Sequence, residues 1–160
     1  MTVAYLLTGS NLGEREEFLQ QACELISMRA GRCKGISSLY ETAPWGKTDQ
    51  PPFLNQAIEL ETLLPAQELI RLLLEIEIEL GRIRAEKYGP RTIDIDILLY
   101  GNKIIDEPQL QIPHPQLANR RFALLPLLEL NPELIHPITR VTLKDLLEQC
   151  PDQGLVHQLK

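Results

Sequence analysis

The stretch Thr92-Ile93-Asp94-Ile95-Asp96-Ile97-Leu98-Leu99-Tyr100, closed by Gly101-Asn102, constrains this chain more than any other segment. Isoleucine and aspartate alternate with the period of a β-strand, whose successive side chains point to opposite faces. Ile93, Ile95 and Ile97 therefore share one face, and Asp94 and Asp96 emerge together from the other. Cα atoms two residues apart on a strand are separated by roughly 6.5–7 Å. Carboxylates converging from that distance bind one Mg2+ or bracket two, because Mg2+ commonly takes one or two carboxylates and fills its shell with water and phosphate oxygens. Two like charges on one face repel, which favours a neutralising cation. The plainer alternative is the solvated face of an edge strand.

The residues just before this strand point to the anion such a cation would bring. Gly81 to Arg91 holds four basic residues, Arg82, Arg84, Lys87 and Arg91, and one acid, Glu86. Guanidinium forks bind phosphate oxygens bidentately, whereas a lysine acts as a point charge. A basic loop leading into paired carboxylates suits a metal–polyphosphate substrate; otherwise it offsets Glu75, Glu77 and Glu79 on the preceding segment. Further on, Ile112-Pro113-His114-Pro115 and Asn119-Arg120-Arg121-Phe122 add a histidine and two arginines near a helix start. His114 serves as a phosphate hydrogen-bonder when protonated, as a base when neutral, or as a rigid-turn hydrogen bonder with no part in chemistry. Thr42-Ala43-Pro44-Trp45-Gly46 and Phe53-Leu54-Asn55 supply a rigid turn, aromatic faces and an amide. A flat heteroaromatic ligand can stack on Phe53 and hydrogen-bond Asn55, unless these aromatics are ordinary core or rim residues. Gly9-Ser10-Asn11-Leu12-Gly13 lacks the Gly-Lys-Ser/Thr of a phosphate loop and reads as a turn plus helix cap.

Around these segments the pattern is βα, ββα, β, then a helical tail. A first strand opens the chain and yields to a helix from about residue 14 to 28, capped by Ser10 or Asn11 and ended by Gly31. Strand-like composition runs from Gly35 to Thr42, and the proline-rich stretch 43–52 is a loop. Phe53 to Glu61 is a strand, and a helix follows Pro65 to about Leu80, with Leu69, Leu72, Leu73, Ile76 and Leu80 as its buried stripe. A hairpin around Pro108 and two helices near 119–130 and 143–149 complete the pattern. Two split βαβ halves make a ferredoxin-like α+β sandwich, mainly antiparallel, because the link at 43–52 is too short for the helical crossover of a doubly wound parallel sheet.

The 160 residues fit one domain spanning 1–160, large enough to bury roughly 68–70% of the unfolded surface. With 44% hydrophobic residues and no long like-charge block, disorder is disfavoured. No apolar run reaches the ~20 residues of a membrane span, and no targeting segment is seen, so a cytoplasmic location is expected. The net charge of −6 argues against nucleic-acid partners. Cys23, Cys33 and Cys150 are odd in number and far apart in sequence, and read as small buried hydrophobes. His136 and His157 read as structural or solvated.

Taken together, Gly9-Ser10-Asn11-Leu12, Asp49-Gln50-Pro51 with Phe53-Leu54-Asn55, Lys87 through Leu98, Pro113-His114-Pro115 and Arg120-Arg121-Phe122 resemble the 6-hydroxymethyl-7,8-dihydropterin pyrophosphokinases of folate biosynthesis, from about residue 3 to 135. The resemblance implies the ferredoxin-like fold and transfer of pyrophosphate from ATP to the pterin hydroxymethyl group, releasing AMP. It implies that Asp94 and Asp96 ligate two Mg2+, that Arg82, Arg84, Arg91, His114 and Arg120 hold the triphosphate, and that Glu77 lies near the nucleotide. The resemblance implies Arg82, Arg91, Asp94 and Asp96 as the catalytic group. Phe53 and Phe122 would sandwich the pterin, with Thr42, Ala43, Trp45 and Asn55 around its edge. The chain departs from the family at Lys87, Tyr88 and Ala43, and the loop near Ala85 is short by a residue. The expected partners are small molecules, the expected state a monomer, and no length remains in this chain for a fused second folate enzyme. A metal-dependent phosphohydrolase and an RNA-binding ferredoxin-like module are the rival readings; the second lacks an aromatic RNP-type motif.

Overall fold

A computed structural model describes residues 1–42, 51–81 and 92–159. The Ile–Asp alternation forms an edge strand, Asp94–Tyr100, in a six-stranded antiparallel sheet. In chain order the elements are β1 (Thr2–Ser10), α1 (Arg15–Arg29), β2 (Arg32–Ile36), β3 (Tyr40–Thr42), β4 (Phe53–Thr62), α2 (Ala66–Glu79) and β5 (Asp94–Tyr100). A two-stranded hairpin, β6 (Ile105–Glu107) and β7 (Leu110–Ile112), then leads to α3 (Arg121–Leu130), α4 (Leu143–Glu148) and β8 (Val156–Gln158). The sheet order is β5-β1-β4-β3-β8, with β2 also paired to β4. β1 is therefore central, antiparallel to β4 on one side and β5 on the other. This is the split βαβ topology of the ferredoxin-like fold, as expected from the order of elements.

Period-two alternation gives the sheet two unlike faces. Ala4, Leu6, Leu54, Ile58, Leu60, Ile93, Ile95 and Ile97 form one core with Leu19, Ala22 and Ile26 of α1 and Leu69, Leu73 and Ile76 of α2. Tyr5, Leu7 and Ala57 project from the opposite face and pack with Ala123, Leu124 and Leu127 of α3 and Leu143 of α4. The β1–β5 register shifts between Tyr5 and Leu6, so Ile97 pairs Leu6 while Leu99 pairs Tyr5. Leu98 is the extra residue, and beyond it the strand changes phase: Leu98 and Leu99 both enter the second core.

Three local expectations are corrected. First, neither Ser10 nor Asn11 caps α1, whose N-cap is Glu14 without a side-chain cap bond. The Asn11 amide instead donates to the Pro51 carbonyl at 3.0 Å, fastening the β1 end to the entry of β4. Second, the continuous strand expected from Gly35 to Thr42 is broken at Ser37. The Ser37 hydroxyl accepts from Ala57 N at 2.9 Å, in the place of a ladder carbonyl, while the Ser37 carbonyl accepts from the Gln56 side chain. Third, the C-terminal residues, from which sequence reading drew nothing, add β8 to the far edge by pairing with β3. Among the described residues no helix is long and apolar enough to cross a membrane.

Gly31 ends α1 as expected, and the reason is close approach. With φ at +158°, a Cβ there would lie 2.1 Å from the Glu61 carbonyl oxygen. Nearby, Thr62 Oγ1 donates to the Ala30 carbonyl at 2.7 Å, satisfying the helix end. Gly31→Ala must therefore push the α1 terminus off β4. We expect a loss of roughly 2–4 kcal/mol in urea unfolding; an unchanged midpoint would show that the contact is not tight.

Candidate active site

The face of the sheet that carries α3 also carries the carboxylates. Asp94 pairs with Gly9 and Asp96 with Leu7, and Leu7 belongs to the core beneath α3. Both aspartates are half-buried, while Ile93, Ile95 and Ile97 on the other side are 0–3% exposed. Across β1 the same row continues: Gly9 also pairs with Asn55 of β4, which pairs with Tyr40 of β3. Asp94 and Asn55 thus stand on one face, two strand spacings or roughly 10 Å apart. Between them is a residue with no side chain. A Cβ at Gly9 would sit 2.5 Å from Asn55 Nδ2, so glycine is what lets the amide lie flat over β1. That amide donates to the Thr8 carbonyl at 3.2 Å and leaves Asn55 Oδ1 buried, with no hydrogen-bond partner among the described residues. An unsatisfied buried acceptor carries a desolvation cost of about 1–3 kcal/mol, which a ligand N–H would relieve.

Phe53 and Thr42 share this face two residues further along. They pair with each other, and Thr42 is held from its other edge by Val156 of β8, with its hydroxyl donating to the Leu155 carbonyl at 3.4 Å. Arg15 donates to the Pro52 carbonyl at 3.0 Å and pairs with Glu41 at 2.8 Å, securing the strand ends that flank Phe53.

The second wall comes from residues after β7. A cis peptide bond joins Ile112 to Pro113, and His114 N then donates to the Leu98 carbonyl at 3.0 Å. His114 Nδ1 accepts from Gln116 N at 3.1 Å, so the neutral ring carries its proton on Nε2. Burial pushes the imidazole down to about 4; the Arg120 charge lowers it further and the Asp94 charge opposes both. Those two influences place His114 electrostatically between Arg120 and Asp94. Burial therefore favours the neutral ring, with Nε2 as its donor. Arg120 lies over the Phe122 ring at 5.7 Å, at the start of α3. Phe122 itself packs against the α3 core, half-buried.

Glu77 has a role that its sequence position did not reveal. It is 1% exposed near the end of α2, and its carboxylate accepts from Ile95 N at 2.7 Å. β5 is an edge strand, so alternate amides point away from the sheet. Glu77 caps the one that lies between Asp94 and Asp96. It thereby ties the carboxylate strand to a helix packed on the opposite face. The signal was faint: a glutamate inside the apolar stripe of α2, one residue after Ile76.

Asp94, Asp96, Asn55, Phe53 and Thr42 therefore share one face of the sheet, Arg120 and Phe122 lie at the start of α3 packed on that face, and His114 feels the charges of Asp94 and Arg120, while Glu77 reaches β5 from α2 on the other face. Ala43, Trp45, Arg82, Arg84 and Arg91 lie outside the described residues, as do Lys87 and Tyr88. Among the described residues, no group of three or more His, Cys, Asp or Glu side chains converges as a metal site. Two carboxylates joined by no third His, Cys, Asp or Glu ligand among the described residues suit Mg2+ shared with a polyphosphate and not a structural ion enclosed by protein.

A family model described as 7,8-dihydro-6-hydroxymethylpterin-pyrophosphokinase matches residues 5–132. The chain belongs to this family. A 2-amino-4-hydroxy-6-hydroxymethyldihydropteridine pyrophosphokinase of Bacillus subtilis is 46% identical over 129 residues, covering 80% of this chain and 77% of that protein. The folic acid synthesis protein fol1 of Schizosaccharomyces pombe is 42% identical over 154 residues, 96% of this chain but 21% of that protein. The chain thus spans about a fifth of the fungal relatives it matches. In fold it is similar to the wild-type HPPK-DHPS of Plasmodium falciparum, with a TM-score of 0.72 at 18% identity, over 92% of this chain and 44% of that one. Family membership gives no support to the RNA-binding or phosphohydrolase readings.

The Glu77 contact has a measurable consequence in this pyrophosphokinase-family chain. Glu77→Leu leaves the Ile95 amide without its acceptor and should cost about 1–3 kcal/mol. Glu77→Gln keeps an oxygen there and should cost less. Amide exchange at Ile95 should quicken in the leucine variant; unaltered protection would show that the carboxylate does not hold the strand.

Proposed function

We propose that this chain transfers pyrophosphate from ATP to 6-hydroxymethyl-7,8-dihydropterin, giving the pterin diphosphate and AMP in folate synthesis. The observation that carries the reading is the row Asp94–Gly9–Asn55, which sets a carboxylate and an unsatisfied amide acceptor on one face at a distance suited to two adjoining substrates. In this reading Asn55 Oδ1 accepts from an N–H on the pterin edge. Phe53 and Phe122 cover its ring faces, and Thr42, Ala43 and Trp45 border it. On the other side Asp94 and Asp96 would hold two Mg2+ ions together with phosphate oxygens. When bound there, Mg2+ neutralises phosphate charge and aligns the attacking and leaving oxygens.

The protein's own groups supply position and charge. Arg82, Arg84, Arg91 and Arg120 offer guanidinium forks to the triphosphate, and His114 donates from Nε2 without adding charge of its own. Glu77 acts from behind, holding the Asp94–Asp96 segment in place. The pterin hydroxyl attacks the β-phosphorus in line and AMP leaves, a reaction limited mainly by alignment and electrostatics. The reading includes a monomer working in the cytoplasm on small molecules, with no nucleic-acid partner.

Incubation with Mg-ATP should yield AMP only when the hydroxymethyl pterin is present. Phosphate release without pterin would instead mark a hydrolase, and no turnover at all would leave a binding module. Asp96→Ala should lower kcat by about a thousandfold or more, the equivalent of roughly 4 kcal/mol of charge stabilisation, with an unchanged thermal unfolding curve. Near-normal turnover in that variant would overturn the metal assignment.

A further inference from the structure

The other face of the sheet holds a group of reactive side chains that pyrophosphoryl transfer does not use. Cys23 lies on the side of α1 that packs against the sheet, and Cys33 lies on β2 opposite Leu60, a residue of the core beneath α1. Ten residues separate them in sequence, but the fold packs both against the same core and makes each thiol the other's main electrostatic neighbour. Ser27, one helical turn beyond Cys23, donates its hydroxyl to Cys33 Sγ at 3.0 Å. Neither cysteine is buried, unlike Cys150, which is 3% exposed. The expectation that all three are small buried hydrophobes is therefore corrected for this pair. Among the described residues β2 pairs with β4 alone, and its register shifts just after Cys33, so the strand carrying this thiol lies at the margin of the ladder.

We propose that Cys23 and Cys33 form a peroxide-sensitive dithiol that closes to an intrachain disulfide, stitching α1 to β2. The polarity of the pair sets the order of events. The neighbouring Cys23 thiol draws the Cys33 thiol down to about 6 against the effect of burial, and the Ser27 hydroxyl bonded to Cys33 Sγ acts in the same direction, which favours the thiolate there. The pairing with Cys33, together with burial, raises Cys23 and favours its thiol form. The Cys33 thiolate attacks one oxygen of hydrogen peroxide; the O–O bond breaks, one proton is taken up, water leaves, and Cys33 becomes a sulfenic acid. The anion that held the proton on Cys23 is then gone. Cys23 sulfur attacks Cys33 sulfur, the S–O bond breaks, and the departing hydroxide takes up the Cys23 proton as a second water. Two thiols and one peroxide thus give one disulfide and two waters.

This device is independent of the reaction proposed for the opposite face. The full-length chain, treated with a few equivalents of hydrogen peroxide, should lose the mass of two hydrogens. Non-reducing peptide mapping should then find Cys23 joined to Cys33, with Cys150 still a thiol after unfolding. Closing a loop of about ten residues should raise the unfolding midpoint by about 5–10 °C, reversed by dithiothreitol. Cys23→Ser should divert Cys33 to sulfenic and then sulfinic acid. Cys33→Ser should abolish the oxidation at this site. Oxidation of Cys33 in the unaltered protein without the crosslink, persistence of both thiols, or disulfides between chains would each overturn the proposal.

Discussion

Everything chemical in this fold depends on the pairing of β1 with strands on both its edges. Its alternation sorts Ala4 and Leu6 to one face and Tyr5 and Leu7 to the other, and its partners follow that parity. Asp96 stands opposite Leu7, and Asp94 and Asn55 flank Gly9 from either side. A slip of one residue between β1 and β5 would turn both carboxylates into the core beneath α1 and α2 and expose Ile93, Ile95 and Ile97. Burying each isoleucine contributes about 1.5–3 kcal/mol, and an unpaired buried carboxylate costs several. The hydrophobic effect on one face thus fixes the position of the charges on the other. Glu77 adds a directional element by bonding the Ile95 amide from the α2 side, so that the apolar face also holds the carboxylate strand by its edge.

The division of labour between faces extends to electrostatics. Next to the carboxylate strand, burial and the Arg120 charge favour the neutral form of His114, while the Asp94 charge opposes them. Neutrality suits a position where both signs are already present. On the α1 side, the Cys33 thiol is drawn down by a neighbouring thiol and a hydroxyl, with no charged side chain involved. The overall charge of −6 averages over these regions, with glutamates spread along the helices and the arginines of 82–91 and 120–121 concentrated near the carboxylate pair in sequence or on its face.

Local patterns were legible wherever one residue type determined the outcome. Ile–Asp alternation located β5, Pro65 and Pro108 marked the start of α2 and the β6–β7 turn, and the apolar stripe from Leu69 to Ile76 located α2. Contacts between distant segments were harder to read. A serine hydroxyl replaces a ladder carbonyl at Ser37, and no composition rule marks that break. β8 is three residues long and owes its existence to the free edge of β3. Asn11 has the chemistry of a helix cap, yet it bonds Pro51 because the chain returns past it. Cys23 and Cys33 looked unrelated because their neighbourhood arises only when α1 folds back on β2. That Asp94 and Asp96 share a face was readable from the strand period, whereas the placement of Asn55 on that face, across Gly9, and the Glu77 bond to Ile95 depend on register and edge position.

The central claim is that the Asp94–Asp96 face, joined through Gly9 to Asn55, receives a metal-bound triphosphate. Paramagnetic broadening tests it most directly, with Mn2+ and a non-hydrolysable ATP analogue added to 15N-labelled protein. The account predicts that amide signals of Asp94 to Asp96, His114 and Arg120 broaden first, while those of Cys23 and Leu69 on the opposite face persist. Broadening centred on α1 and α2, or none at the carboxylate strand, would contradict it.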